Sequence, residues 1–413
     1  MYHREPFPTS EGLPAMTRRF RPVPASLLVL LALGCGGGAE PEPEAPAATG
    51  DLGLPFSEYR ESGDLVYLAG ALGNLPGTLD LVPGGIEAQV RQTMDNLGAT
   101  LESAGLDFSR VAAVNVYLSD VRHFQAMNGV YREYFPEDPP TRATVEAGIA
   151  IPGALVEISM VAVKAGVERE VINPAAMKSP ELPYSWGIKA GDTLFVAGAT
   201  ARDPDTYQPV AGGVPEQMQR IMGNIGLVLE AGGMDYSDVA NCRVFLDDPR
   251  TFGEMNAAYR EFFPEDPPTR ATVEARLANP LFTAEVQCVA SSAERSVLAP
   301  DGPRSGSPLS PGIWAGDRLY LSGMVAPGPD RSEDAGDQTR AVLGRLSAAL
   351  EAGGLSFGDV DDAMVYLEDM RDYAAMNEVY REVVGAPFPP RATVETQMMG
   401  AGIKVEIMMT ATR

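Results

Sequence analysis

The chain has 413 residues and a formal net charge of −24, with 56 acidic side chains against 32 basic ones. It is too long for one domain of roughly 100–200 residues, and its charge repels nucleic-acid phosphates and anionic lipid heads. Two histidines, His3 and His123, and four lysines, Lys164, Lys178, Lys189 and Lys404, leave little from which to build a Ser–His–Asp triad, a Cys–His pair or a histidine-rich metal site.

At the start of the chain, Arg18, Arg19 and Arg21 precede the apolar run Leu27–Leu33, followed by Gly34-Cys35. A basic start, an apolar run of about 7–15 residues and small residues at the cut describe a secretory signal, whereas a membrane span needs about 20. Met16 is the more natural start, and the Leu-Ala-Leu-Gly-Cys ending is similar to a lipoprotein signal over residues 1–34 with Cys35 as the lipidated residue. Residues 35–54, with Glu and Pro alternating, read as a flexible linker. The expectation is an extracytoplasmic protein at the cell envelope, facing the periplasm and touching the membrane through its lipid anchor alone.

Beyond residue 55 the elements recur. A Gly63-Asp64 turn opens an apolar strand at Leu65–Ala69 that ends in Gly70. Ile86, Val90, Met94, Leu97 and Leu101 follow at helical spacing, with Gly105 as the stop. Val114, Val116 and Leu118 alternate as a half-buried strand, and Asp120 is placed to cap a second helix carrying Phe124, Met127, Val130 and Tyr131. After the stiff Pro139-Pro140, Arg142 begins a strand that is expected to turn at Pro152-Gly153 into Leu155–Val163. Cys242 and Cys288 sit in apolar strand-like runs without a CxxC spacing, so they are expected as buried thiols, not as a zinc or dithiol site.

The same unit is written three times. FPEDPPTRATVEA occurs at 135–147 and again at 263–275, and its echo PRATVE occupies 390–395. Met127-Asn128, Met255-Asn256 and Met376-Asn377 precede it, and Gly63-Asp64, Gly191-Asp192 and Gly316-Asp317 open the units. The repeats are assigned to 55–166, 167–293 and 294–413, joined by polar stretches near 165–182 and 292–307. The pattern strand-strand-helix-strand-helix-strand-strand gives an α+β unit, a sheet with two helices on one face. Its other face still needs cover, so three such units are expected to close around a pseudo-threefold axis as a monomeric pseudo-trimer, with clefts between neighbours.

Arg142, Arg270 and Arg391 leave rigid proline turns, and a glutamate follows each of them fifteen residues later, at Glu157, Glu285 and Glu406. A planar guanidinium suits bidentate carboxylate recognition, and a glutamate can hold water and shuttle protons. A strand folded back on its predecessor lets both share one sheet face. The plainer alternative from residue types alone is an Arg–Glu pair that only holds units together.

These motifs in this order, with the Pro183-Tyr184-Ser185 opening and the closing Val-Glu-Ile strand, resemble the RidA family of imine/enamine deaminases, also filed as endoribonuclease L-PSP. The resemblance spans all three units. It implies a chorismate-mutase-like (RidA-like) fold with a mixed sheet, ligand sites at subunit interfaces, and hydrolysis of 2-imino acids or enamines to 2-keto acids and ammonia. It assigns carboxylate binding to Arg142, Arg270 and Arg391, water handling to Glu157, Glu285 and Glu406, and ligand proximity to Asn128, Asn256 and Asn377. No cofactor or metal is implied, because a protonated imine is already electrophilic.

The copies depart from the pattern. The tyrosine after the opening proline survives only as Tyr184, against Phe56 and Leu309. The serine before the strand-ending glycine survives only as Ser322, against Ala69 and Ala197. One composite cleft could draw Tyr184 and Ser322 from different units. The second reading is a non-catalytic, envelope-anchored binding protein for small carboxylates. Ribonuclease chemistry is disfavoured by the charge and the lack of a histidine base, and Glu146, Glu274 and Glu395 are read as structural.

Overall fold

The computed structural model describes residues 53–298, 306–329 and 331–413. The basic and apolar stretch, Cys35 and nearly all of the linker lie outside the described residues. Among the described residues no helix is long and apolar enough to cross a membrane.

The first repeat runs β1 (Tyr59–Ser62), β2 (Leu65–Leu72), α1 (Gly85–Ser103), β3 (Val111–Leu118), α2 (Phe124–Tyr134), β4 (Thr141–Glu146), β5 (Gly148–Ile149) and β6 (Val156–Val163). The stop at the end of α1 is a Schellman turn: Gly105 takes a positive φ, its N–H reaches Glu102 O at 2.9 Å, and Leu106 N–H reaches Leu101 O at 2.8 Å. Gly233 and Gly354 end their helices in the same way. Asp120 accepts from the Arg122 N–H at 2.9 Å, so it caps a single 3₁₀ turn, Val121–His123, that leads into α2. Val90, Met94, Leu97 and Leu101 turn α1 onto Val114, Val116, Ile158 and Met160 of the sheet.

The second repeat contains β7 (Arg169–Ile172), β8 (Gly187–Ala190), β9 (Thr193–Val196), β10 (Ala199–Thr200), α3 (Val214–Ala231), β11 (Val239–Leu246), α4 (Phe252–Phe262), β12 (Thr269–Glu274) and β13 (Ala284–Ser291). The third contains β14 (Arg295–Leu298), β15 (Gly312–Ala315), β16 (Arg318–Val325), α5 (Ala335–Ala352), β17 (Val360–Leu367), α6 (Tyr373–Val384), β18 (Arg391–Glu395) and β19 (Val405–Thr412). The joining stretches are not wholly connectors, since β7 and β14 extend the edges of the following sheets.

The expected fold-back of the arginine strand onto the glutamate strand does not occur. The sheet order is β1-β2-β6-β3-β4, so β3 lies between β4 and β6. The reason is the crossover: α2 returns the chain so that β4 runs parallel to β3, and β6 then pairs antiparallel on the other side of β3. Arg142 and Glu157 of one repeat are therefore kept apart by a strand.

The three repeats close into a ring. At the seams, Ser57, Ser185 and Ser310 donate their N–H to Pro389, Pro140 and Pro268 carbonyls at 3.4, 3.1 and 3.2 Å. Strand edges also cross the seams, with Glu146 N–H on Arg276 O at 2.9 Å and Glu274 N–H on Gln397 O at 3.0 Å. The third seam is closed by β5, which pairs with β18. Tyr117, Val145, Tyr366 and Val394 thereby join the core of the second repeat. The architecture is the α+β one expected, three mixed sheets with helices outside and sheet faces inside.

Cys242 and Cys288 correct the expectation of separate thiols: they form a disulfide. β11 and β13 set them directly opposite one another, a cross-strand pairing that residues 46 apart in sequence do not announce.

Candidate active site

Each arginine is built into its strand and held by its own repeat. Arg142, Arg270 and Arg391 are buried, and one Nη of each donates to Asn128, Asn256 and Asn377 Oδ1 at 2.7, 2.6 and 2.6 Å. The guanidiniums lie over the rings of Tyr131, Tyr259 and Tyr380, 4.7, 4.8 and 4.6 Å from the centroids. These tyrosines read in sequence as core; they are buried and also serve as cation platforms. The asparagines are arginine partners, and Asn128 is tied back by its own Nδ2 to Phe124 O at 2.8 Å.

The glutamates come from the neighbouring repeat. Thr144 N–H donates to Glu285 Oε1 at 3.3 Å, and Thr393 N–H donates to Glu157 Oε1 at 3.2 Å. At the third seam Glu406 takes the corresponding bond from Thr272 N–H, and Arg270 acts on it electrostatically. Each carboxylate lies against a strand-ending glycine. A Cβ added at Gly70, Gly198 or Gly323 would stand 2.1, 2.1 or 1.8 Å from the Oε1 of Glu157, Glu285 or Glu406. Glycine is required there by close approach.

The pairs are thus Arg142 with Glu285, Arg270 with Glu406 and Arg391 with Glu157, each across a seam. None of the three arginines forms an ion pair among the described residues. Arg142 and Glu285 line a cavity of about 530 Å³, and Arg391 and Glu157 line one of about 390 Å³. Burial pushes the carboxyls of Glu157 and Glu406 up to about 8 and that of Glu285 up to about 7, opposed by the threonine N–H and the facing arginine. Burial also lowers the guanidinium pKa values of Arg142 and Arg270.

The threonines were missed in the sequence. Thr144, Thr272 and Thr393 stand two residues beyond the arginines and so share their sheet face. Their hydroxyls are buried without a protein partner among the described residues, as are Nη1 of Arg142 and Nε of Arg270 and Arg391. The signal was present in the thrice-repeated Arg-Ala-Thr, though threonine in a strand passes for a β-former.

Tyr184 and Ser322 stand at different seams, which removes the composite cleft. Tyr184 lines the Arg142–Glu285 cavity and shares a 2.8 Å hydrogen bond with Tyr207 OH. Ser322 accepts from Arg270 N–H at 2.9 Å and donates to Ser310 O at 2.7 Å, so its hydroxyl is engaged by backbone. The reason is that the opening-loop residue and the strand-ending residue of one repeat face the same seam. Glu146 and Glu395 accept from Val121 and Met370 N–H at 2.9 and 2.5 Å, tying down the turns that start α2 and α6. Among the described residues no cluster of His, Cys, Asp or Glu is arranged to hold a metal ion.

A 2-iminobutanoate/2-iminopropanoate deaminase from Capra hircus is 38% identical over 120 residues, 29% of this chain and 85% of that protein. A RutC family protein, PH0854, from Pyrococcus horikoshii is 39% identical over 122 residues, 30% of this chain and 97% of that protein. The crystal structure of NMB1025, a YjgF-family protein from Neisseria meningitidis, is 36% identical with a TM-score of 0.26, covering 29% of this chain and 95% of its own. The family model described as endoribonuclease L-PSP matches residues 44–164, 175–292 and 300–413. With three tandem matches that account for most of its length, the chain belongs to the endoribonuclease L-PSP family, also known as RidA.

Proposed function

We propose that this protein hydrolyses 2-imino acids and their enamine tautomers to 2-keto acids and ammonia in the clefts between its repeats. The deaminase names carried by relatives support the reaction class. The observation that carries the reading is the pairing, across each seam, of a buried guanidinium having an unsatisfied nitrogen with a buried carboxyl whose pKa is near neutral.

The substrate carboxylate docks on the arginine, where charge-assisted bonds in a buried site are strong. The neighbouring threonine hydroxyl supplies one further hydrogen bond. In its ionised form the glutamate takes a proton from water as the oxygen attacks C2 of the protonated imine. It returns that proton to nitrogen in the tetrahedral adduct; the freed carboxylate then takes the C2 hydroxyl proton as the C–N bond breaks, C2 becomes the ketone carbon, and ammonia takes the proton from the glutamate and leaves as ammonium. For an enamine, the protonated glutamate first delivers its proton to C3, giving the iminium. A carboxyl titrating at about 7–8 holds both forms near neutrality. The same proposal seats the protein at the cell envelope through Cys35; loss of lipid labelling in Cys35→Ser tests that part.

The test is release of keto acid from 2-iminobutanoate generated in situ by an amino-acid oxidase. The full chain is expected to accelerate release, and the combined Arg142→Ala, Arg270→Ala, Arg391→Ala variant to lose the acceleration. A wild-type rate in that variant, or keto-acid binding with no turnover in the intact protein, overturns the proposal.

A further inference from the structure

We propose that the cleft between the first and second repeats takes a 2-imino acid bearing a second carboxylate, and that Arg202 recognises that second group. The inference rests on the deaminase reading of the clefts and deepens it for one of them.

Position 202 lies four residues beyond the strand-ending Gly198, and its counterparts in the other repeats are Asn74 and Pro327. Only this cleft therefore carries a second cation from that position. Arg202 lines the same cavity as Arg142, Glu285 and Tyr184. Its guanidinium lies between the rings of Tyr207 and Phe282, 4.3 and 4.8 Å from their centroids, and Nη1 donates to Tyr207 O at 3.0 Å. The plane of the fork is thus fixed before any ligand arrives, which reduces the ordering cost of a bidentate contact. Among the described residues no carboxylate forms an ion pair with it. Glu181, which also lines the cavity, is paired with Lys178 at 2.6 Å.

A half-buried, stacked cation that no carboxylate touches in an ion pair among the described residues keeps its fork open to an anion, though Glu285 and Glu181 act on it electrostatically from across the cavity. The cleft already offers Arg142 for the carboxylate next to the imine, so the anion at Arg202 belongs at the far end of the substrate. The corresponding end of the Arg391–Glu157 cleft is walled by Leu72, Leu79, Ile151 and Pro152, with neutral Asn74.

Calorimetric titration of the full chain with the product analogues 2-oxoglutarate and 2-oxobutanoate tests this without turnover. Arg202→Met is expected to weaken 2-oxoglutarate at least tenfold and leave 2-oxobutanoate unchanged. Arg202→Lys, which keeps the charge and loses the fork, is expected to recover part of the affinity. Equal 2-oxoglutarate binding in wild type and Arg202→Met overturns the inference, as does wild-type 2-oxoglutarate binding no tighter than that of 2-oxobutanoate. Arg142→Ala separates the two levels: 2-oxoglutarate binding that persists unchanged in it would sink the carboxylate role of the cleft itself, whereas a response to Arg142→Ala with none to Arg202→Met sinks only the dicarboxylate assignment.

Discussion

The Arg391–Glu157 and Arg142–Glu285 clefts have the same frame of side chains and different walls. In both, a guanidinium sits on a tyrosine, an asparagine holds one of its nitrogens, and a glutamate from the next repeat lies on a glycine. Around that frame Phe56, Leu72, Asn74 and Ile151 in one cleft correspond to Tyr184, Thr200, Arg202 and Asn279 in the other. A symmetric homotrimer must carry any wall substitution at all three seams. Fusing the repeats into one chain frees each seam to change alone; on the proposed reading, chemistry is kept in the frame and selectivity is placed in the walls.

The largest test of that division replaces the acids one at a time. Removing a positioned acid–base group costs about 10²–10⁴ in rate. In a Glu406→Gln background, which silences the third seam, Glu157→Gln is expected to remove turnover of imines with apolar side chains and spare a 2-imino dicarboxylate, and Glu285→Gln to do the reverse. Initial rates on the two substrate types check this. If both variants lose both activities in equal proportion, the clefts are not specialised. Next in size is Gly198→Ala, whose methyl would sit 2.1 Å from Glu285 Oε1 and so must push the carboxylate out of place. A misplacement of about 1 Å costs about 10²-fold, so the dicarboxylate activity falls by about that factor with the fold and the apolar-imine activity retained. Gly70→Ala makes the mirror experiment for Glu157.

The pH dependence sharpens the comparison. Both glutamates are raised by desolvation, yet Glu285 titrates at about 7 and Glu157 at about 8. Glu285 faces Arg142 and Arg202, while Glu157 faces Arg391 alone; a nearby cation favours the ionised carboxylate. On the proposed mechanism ionised glutamate activates water, so kcat/KM is expected to rise with pH near neutrality, at lower pH for the dicarboxylate than for the apolar imine. Arg202→Met moves the first limb upward toward the second. Coincident limbs in the wild type would refute the electrostatic distinction.

Much of this was legible in the sequence because repetition is a strong signal: the identical thirteen residues at 135–147 and 263–275 define the units, and the helix stops at Gly105, Gly233 and Gly354 follow from local chemistry. The residue types that meet at the seams were legible too, since arginine and glutamate recur at one spacing. Which arginine meets which glutamate was not, because the answer depends on β3 lying between β4 and β6, which both follow it in sequence, and on a ring closed by residues as distant as Ser57 and Pro389. The Cys242–Cys288 bond failed for the same reason, being a matter of strand register. Arg202 was invisible because it lies beyond the shared motifs, in a segment where the repeats differ and where its meaning comes from an irregular turn that brings back nearby Tyr207 and from Phe282, which is distant in sequence.

The smallest expected effect concerns a feature the two clefts share. Among the described residues the hydroxyls of Thr144 and Thr393 are buried without a protein partner, which costs folding free energy when nothing else bonds them. Valine has nearly the same shape and lacks the hydroxyl. If those hydroxyls serve the substrate, Thr144→Val and Thr393→Val each lose one hydrogen bond in the bound state, about 1 kcal/mol or roughly fivefold in kcat/KM. The loss should appear mainly in KM, because a hydrogen bond to the substrate carboxylate is made equally in the ground and transition states. Stability should stay level or rise, since an unsatisfied polar group leaves the interior. A purely structural threonine gives the opposite pattern, a lowered Tm with unchanged kinetics. Measuring Tm and KM on the same two variants therefore decides whether the frame ends at the arginine and the glutamate or includes the residue between them.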